Sequence, residues 1–180
     1  MMLNLGSNTA LKSLDCSNNQ LTALDVSNNT ALTNLSCSNN KLTSLDINYN
    51  TVLIELGCDR NQLTSLDVSK NTALVTLSCG SNQLTTLDVN SNTALTALSC
   101  RNNKLTALDV SNNTALEILI CRDNQLTTLD LRKNTNVTML YCGMESLKTL
   151  YLKRGHEINR ITNNRSTSNI NENTEIVFVD

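Results

Sequence analysis

The seven cysteines of this 180-residue chain are Cys16, Cys37, Cys58, Cys79, Cys100, Cys121 and Cys142, each 21 residues after the last. A strict period of that length leaves little besides a repeat array in which every unit is one turn of a continuous coil. Aligned on cysteine, a unit reads Leu32-x-x-Leu35-x-Cys37-x-x-Asn40-x-Leu42-x-x-Leu45-Asp46-Ile47-x-x-Asn50-Thr51. Full units run 11–31, 32–52, 53–73, 74–94, 95–115 and 116–136. A seventh decays after about residue 154, and residues 3–10 repeat the second half of a unit. The phrase Leu32 to Asn40 recurs ten residues later as Leu42 to Asn50. Both halves alternate apolar and polar residues, the period of a short strand, and neither leaves room for a helix with its turns. The expected fold is a mainly β repeat solenoid. Each coil carries a short strand on one side and a second short strand or extended segment on the other.

The residues that recur once per coil follow from that geometry. A coil turns its backbone inward at each corner and strands N–H and C=O groups there. An Asn amide donates and accepts, so it can satisfy both kinds of group. The column Asn19 to Asn124 is assigned to one corner and the column Asn8 to Asn134 to the other. Thr9 to Thr135 and Thr22 to Thr127 lie beside a corner Asn or after a buried Leu, and corner hydrogen bonding is expected of them too. The cysteines, one per coil, read as small buried hydrophobes. Side chains in register point the same way and do not easily take the disulfide dihedral, and no metal site is expected because clustered ligands are missing. The column Asp25, Asp46, Asp67, Asp88, Asp109 and Asp130 brings like charges together. Hydrogen bonds from Ser27, Ser69, Ser111 or backbone N–H are expected to offset their repulsion.

The Leu-x-x-Leu-x-Cys-x-x-Asn-x-Leu stretch from Leu32 to Leu42, present in each other unit, strongly resembles the conserved segment of the leucine-rich repeat family. The nested 21-residue form is similar to the bacterial IRREKO-type subclass and to internalin-like surface proteins. Its second-half phrase is matched by Leu63-Thr64-Ser65-Leu66-Asp67-Val68-Ser69-Lys70-Asn71, with Val for the last Leu. The resemblance covers roughly residues 3–152. It implies a right-handed parallel-sheet coil, a recognition role and an extracellular or cell-surface location. Glu145 in place of the expected Asn, with Gly143 and Met144, breaks the seventh unit.

Residues 1–154 are expected to form about seven coils, incomplete at the N-terminus, and 155–180 a C-terminal cap. Gly155 to Ile161 and Asn163 to Asn173 read as loop pinned by Ile158, Ile161, Ile170 and Phe178, and Glu175 to Asp180 as a final strand. The repeat register starts within the first three residues. That leaves an open core edge, predicts self-association through it, and suggests a piece of a longer protein. The start has no basic n-region or apolar h-region, so no signal peptide is expected in this chain. No run of about 18 apolar residues occurs, so no membrane insertion is expected. With 14 Lys plus Arg against 16 Asp plus Glu, and no basic cluster, nucleic acid is not an expected partner.

One His and no Trp leave little for catalysis. His156 reads as a cap or surface residue, and neither enzyme activity nor a cofactor is expected. The function expected instead is a non-enzymatic binding module for a protein, or a glycan, ligand; the alternative is a structural spacer or display scaffold of a larger surface protein. The Cys-bearing half favours binding. Before its second Leu it reads Ser13, Asn34, Glu55, Thr76, Ala97, Ile118, Met139, whereas the Asp-bearing half has only Ala, Ser and Thr there. The candidate ligand-binding residues are Glu55, Arg101, Ile118, Ile120, Arg122, Met139 and Tyr141. Alternation turns Ile118, Ile120, Met139 and Tyr141 outward if Leu119, Cys121, Leu140 and Cys142 point in.

Overall fold

The computed structural model describes residues 3–156, 160–161 and 173–180. The chain winds as a parallel β-solenoid of about seven turns, with no helix among the described residues. The Cys half of each coil contributes one short strand to a long sheet: β1 (Ser13–Asp15), β2 (Asn34–Ser36), β3 (Glu55–Gly57), β4 (Thr76–Ser78), β5 (Ala97–Ser99) and β6 (Ile118–Ile120). After β7 (Thr128–Asp130), which lies on the other side, the long sheet continues with β8 (Met139–Tyr141). All its pairs are parallel and in register, so Leu14, Leu35, Leu56, Leu77, Leu98, Leu119 and Leu140 form one row.

The core is that row and its parallels. Leu35 to Leu140, Cys37 to Cys142 and the Leu and Val rows of the second half are almost fully buried and form a single cluster. Leu14, on β1 at the edge of the sheet, is only partly buried, with no described strand on its far side. All seven thiols are free and buried.

The two Asn columns differ. Asn40 Oδ1 accepts the Leu21 N–H at 2.9 Å, and its Nδ2 donates to the carbonyls of Cys16 and Cys37, both at 3.0 Å. Each Asn from Asn40 to Asn124 repeats this stitch between neighbouring coils. In the other column Asn50 Nδ2 donates to Val26 O at 3.0 Å and Asn29 O at 2.8 Å, but its Oδ1 is buried and receives no hydrogen bond. The expectation that both columns serve donors and acceptors alike is therefore corrected: at the second corner only carbonyls are satisfied. The Thr expectation is corrected as well. Among the described residues both Thr columns are exposed throughout, and no hydrogen bond from their hydroxyls is formed at the corners.

On the Asp side the backbone is extended but makes no ladder until β7, which pairs with β9 (Thr149–Lys153), itself joined by β11 (Glu175–Val179). In earlier coils each carboxylate takes the N–H two residues on: Asp25 with Ser27, Asp67 with Ser69, Asp109 with Ser111. The expected offset to the charge column is thus local. A two-residue strand β10 (Arg160–Ile161) joins β8 at the end of the long sheet. Of the residues expected to pin the cap, Phe178 is 52% exposed on β11 rather than packed into the stack. Ile158 and Ile170 lie outside the described residues.

Candidate ligand-recognition face

The strand alternation sorts side chains as the sequence predicts. Leu119, Cys121, Leu140 and Cys142 are buried. Ile118, Ile120, Met139 and Tyr141 are half-buried on the outer face of the long sheet. The β6–β8 register places Ile118 beside Met139 and Ile120 beside Tyr141, so the four form one contiguous surface. Arg101, Arg122, Ile120 and Tyr141 line one shallow groove of about 510 Å³ that runs along the ends of the strands. Glu55 is not brought there. It is exposed on β3, with Thr76 and Ala97 between it and Ile118 in the ladder, and it accepts the Asn34 amide at 2.8 Å.

The groove holds residues that sequence reasoning did not single out. Asp59 Oδ1 accepts the Gly80 N–H at 2.9 Å. Burial pushes the Asp59 carboxyl above the ordinary carboxylate range, opposed by that N–H and by the Arg101 and Arg60 guanidiniums. Gly80 is buried under the Arg101 stem. A Cβ there would lie 2.8 Å from Arg101 Cγ and 2.9 Å from Asp59 Oδ1, so glycine is what lets these two side chains, from the coils on either side, meet over the coil between them. The signal was present in the column after cysteine, which runs Ser17, Ser38, Asp59, Gly80, Arg101, Arg122. A second missed feature is Tyr49, Val52 and Ile54, exposed by 60%, 45% and 41% at one coil's corner where most other coils carry Ala, Thr, Asn or Lys.

His156 Nε2 lies 2.9 Å from the Val137 carbonyl and is not among the residues that line the groove. Burial pushes the thiols of Cys37, Cys100 and Cys142 up to about 12 and those of Cys58, Cys79 and Cys121 well above the usual range, which disfavours the nucleophilic thiolate. Among the described residues no group of three or more His, Cys, Asp or Glu could hold a metal ion, and no helix is long and apolar enough to cross a membrane.

The family model for leucine-rich repeats, in two copies, matches residues 9–50. The functional domain of InlJ from Listeria monocytogenes, which includes a cysteine ladder, superposes with a TM-score of 0.78 at 43% identity, over 84% of this chain and 36% of that one. An internalin, InlF, from the same organism gives 0.67 at 20% identity over 96% and 48%. YopM, a leucine-rich effector protein from Yersinia pestis, gives 0.61 at 25% identity over 79% and 37%. No curated protein matches the sequence. The chain is a leucine-rich repeat protein. Its coil is of the bacterial internalin-like kind, and it spans between about a third and half the length of these relatives.

Proposed function

We propose that the chain is a non-enzymatic recognition module that binds a protein ligand through the outer face of its long sheet, centred on β6 and β8, in a bacterial protein displayed at the cell surface or secreted. The observation that carries this reading is the patch of Ile118, Ile120, Met139 and Tyr141. It is apolar and half-exposed, and three arginines, Arg60, Arg101 and Arg122, line the groove that Ile120 and Tyr141 share. Elsewhere on the same sheet the equivalent positions are Ser, Asn, Thr, Ala and Gly with single acids at Asp15 and Glu55, and the coils stack equally well. The large apolar side chains are therefore not required by the fold. Apolar surface with aromatic and Arg neighbours is the composition of interface hot spots.

A phage-displayed random-peptide library selected on the whole chain supplies the probe. Binding of the enriched clones is expected to vanish with Ile120→Asp plus Tyr141→Ala while the melting temperature stays nearly unchanged. A loss of several kcal/mol of stability in that variant would instead show that the patch seats the cap, because each buried apolar side chain contributes roughly 1.5–3 kcal/mol.

A further inference from the structure

The groove beside the patch is cationic on an acidic protein. Its charged lining is Asp59, Arg60, Arg101 and Arg122, three arginines to one aspartate, while the whole chain carries a net charge of −2. Arg122 Nη1 lies 3.0 Å from Asp123 Oδ2 at the surface, an exposed pair of small worth that leaves most of its donors unused. The Arg101 guanidinium makes no hydrogen bond within the described residues. Its stem lies across Gly80, and its one acidic neighbour, Asp59, is already engaged by the Gly80 N–H. Two guanidiniums on adjacent coils, roughly 4.8 Å apart along the stack, can converge on one carboxylate.

Resting on the recognition face described above, we propose that Arg101 and Arg122 hold a carboxylate of the bound protein, carried on an extended segment whose large apolar side chain, two residues away, sits on Ile118, Ile120, Met139 and Tyr141. The spacing follows from the sheet. Arg122 and Ile120 are two residues apart on one coil, about 6.6 Å in extended backbone, which is the same-face repeat of an extended ligand. Arginine rather than lysine suits the task, because the planar fork meets a carboxylate with two parallel hydrogen bonds. The partner is thus a protein segment pairing Asp or Glu with Leu, Ile, Met or an aromatic at i and i+2.

The test sequences the clones enriched on the wild-type chain and measures the corresponding synthetic peptides on variants whose melting temperatures are recorded first. Enriched peptides are expected to share an acidic residue two positions from a large apolar one. They should lose roughly tenfold or more in affinity with Arg101→Ala plus Arg122→Ala, regain only part with Arg101→Lys plus Arg122→Lys, and weaken as salt rises. Peptides that depend on Ile120 but carry no acid, or bind the double-alanine variant unchanged, would overturn the carboxylate site and leave the recognition face standing. Peptides indifferent to Ile120→Asp as well, or no enrichment at all, would overturn both.

Discussion

At the scale of single residues, the coil tolerates strain at one recurrent position and avoids it at another. The residue two after each of the first six cysteines is left-handed, with φ between 52° and 57° at Asn18, Asn39, Arg60, Ser81, Asn102 and Asp123. Asn carries this conformation better than Ser or Arg because its amide compensates locally. Ser81→Asn is therefore expected to raise stability by roughly 0.5–1 kcal/mol in urea unfolding, and Ser81→Val to lower it by more. Asp59 offers a second check. Its carboxyl is raised by burial, so the stability it contributes is present at low pH and lost as pH rises through its folded value. Asp59→Asn keeps an acceptor for the Gly80 N–H and removes the buried charge. It should be more stable than the parent at neutral pH, by a few tenths to about 1 kcal/mol, with the gap closing on acidification. The Asp column runs the other way. Hydrogen bonds from Ser27, Ser69 and Ser111 hold Asp25, Asp67 and Asp109 below the usual range, so their contribution persists at neutral pH and fails only as pH falls through those lowered values.

At the scale of elements, the same nine-residue phrase produces a strand in the Cys half of the coils, and on the other side only at β7 and β9. On that side the aspartate carboxylate captures the N–H two residues on, a bond that Asp15 also makes at the end of β1 while that strand pairs. Where Tyr151 replaces aspartate, β9 runs five residues and pairs through Lys153, whereas β7 stops at Asp130, whose carboxylate takes the Arg132 N–H. The long sheet, the Leu and Cys rows and the first Asn column were legible in the sequence because each is fixed by period and alternation. The unequal Asn columns were not, since identical residue types occupy corners whose backbone presents different groups. Nor was the Asp59–Gly80–Arg101 arrangement, which depends on packing across three coils rather than on any motif within one. The stitching column can be tested at Asn61. Asn61→Ala leaves the Leu42 N–H unpaired in the core, while the Cys37 and Cys58 carbonyls keep the Asn40 and Asn82 amides, and should cost roughly 1–3 kcal/mol, measured by chemical denaturation.

At the scale of the whole molecule, each coil packs chiefly on its neighbours, so stability should be distributed along one dimension and weakest at the ends. The core thiols report this directly. With their thiols buried and pushed up to about 12 or beyond the usual range, Cys37 to Cys142 should resist a thiol reagent at pH 8 in the absence of denaturant, and Cys16, 7% exposed on the first coil, should react first. Among the described residues, apolar side chains at both ends of the stack are less covered than those between. β1 pairs with β2 alone and Leu14 is only partly covered, while on β11 Ile176 and Phe178, in register with Leu150 and Leu152, remain 39% and 52% exposed. An uncovered strand edge of that kind favours association between copies, so the scattering mass of the chain is expected to rise with concentration. Two truncations of the same row separate end from centre. Leu77→Ala on β4, between two complete coils, should cost roughly 2–5 kcal/mol, and Leu14→Ala on β1 far less. Hydrogen exchange on the unsubstituted chain should show amides of β3 to β6 protected to the global unfolding free energy and those of β1 and β11 opening first. Equal protection from end to end would mean that the stack unfolds as a single unit, with coupling between coils stronger than nearest-neighbour contact provides.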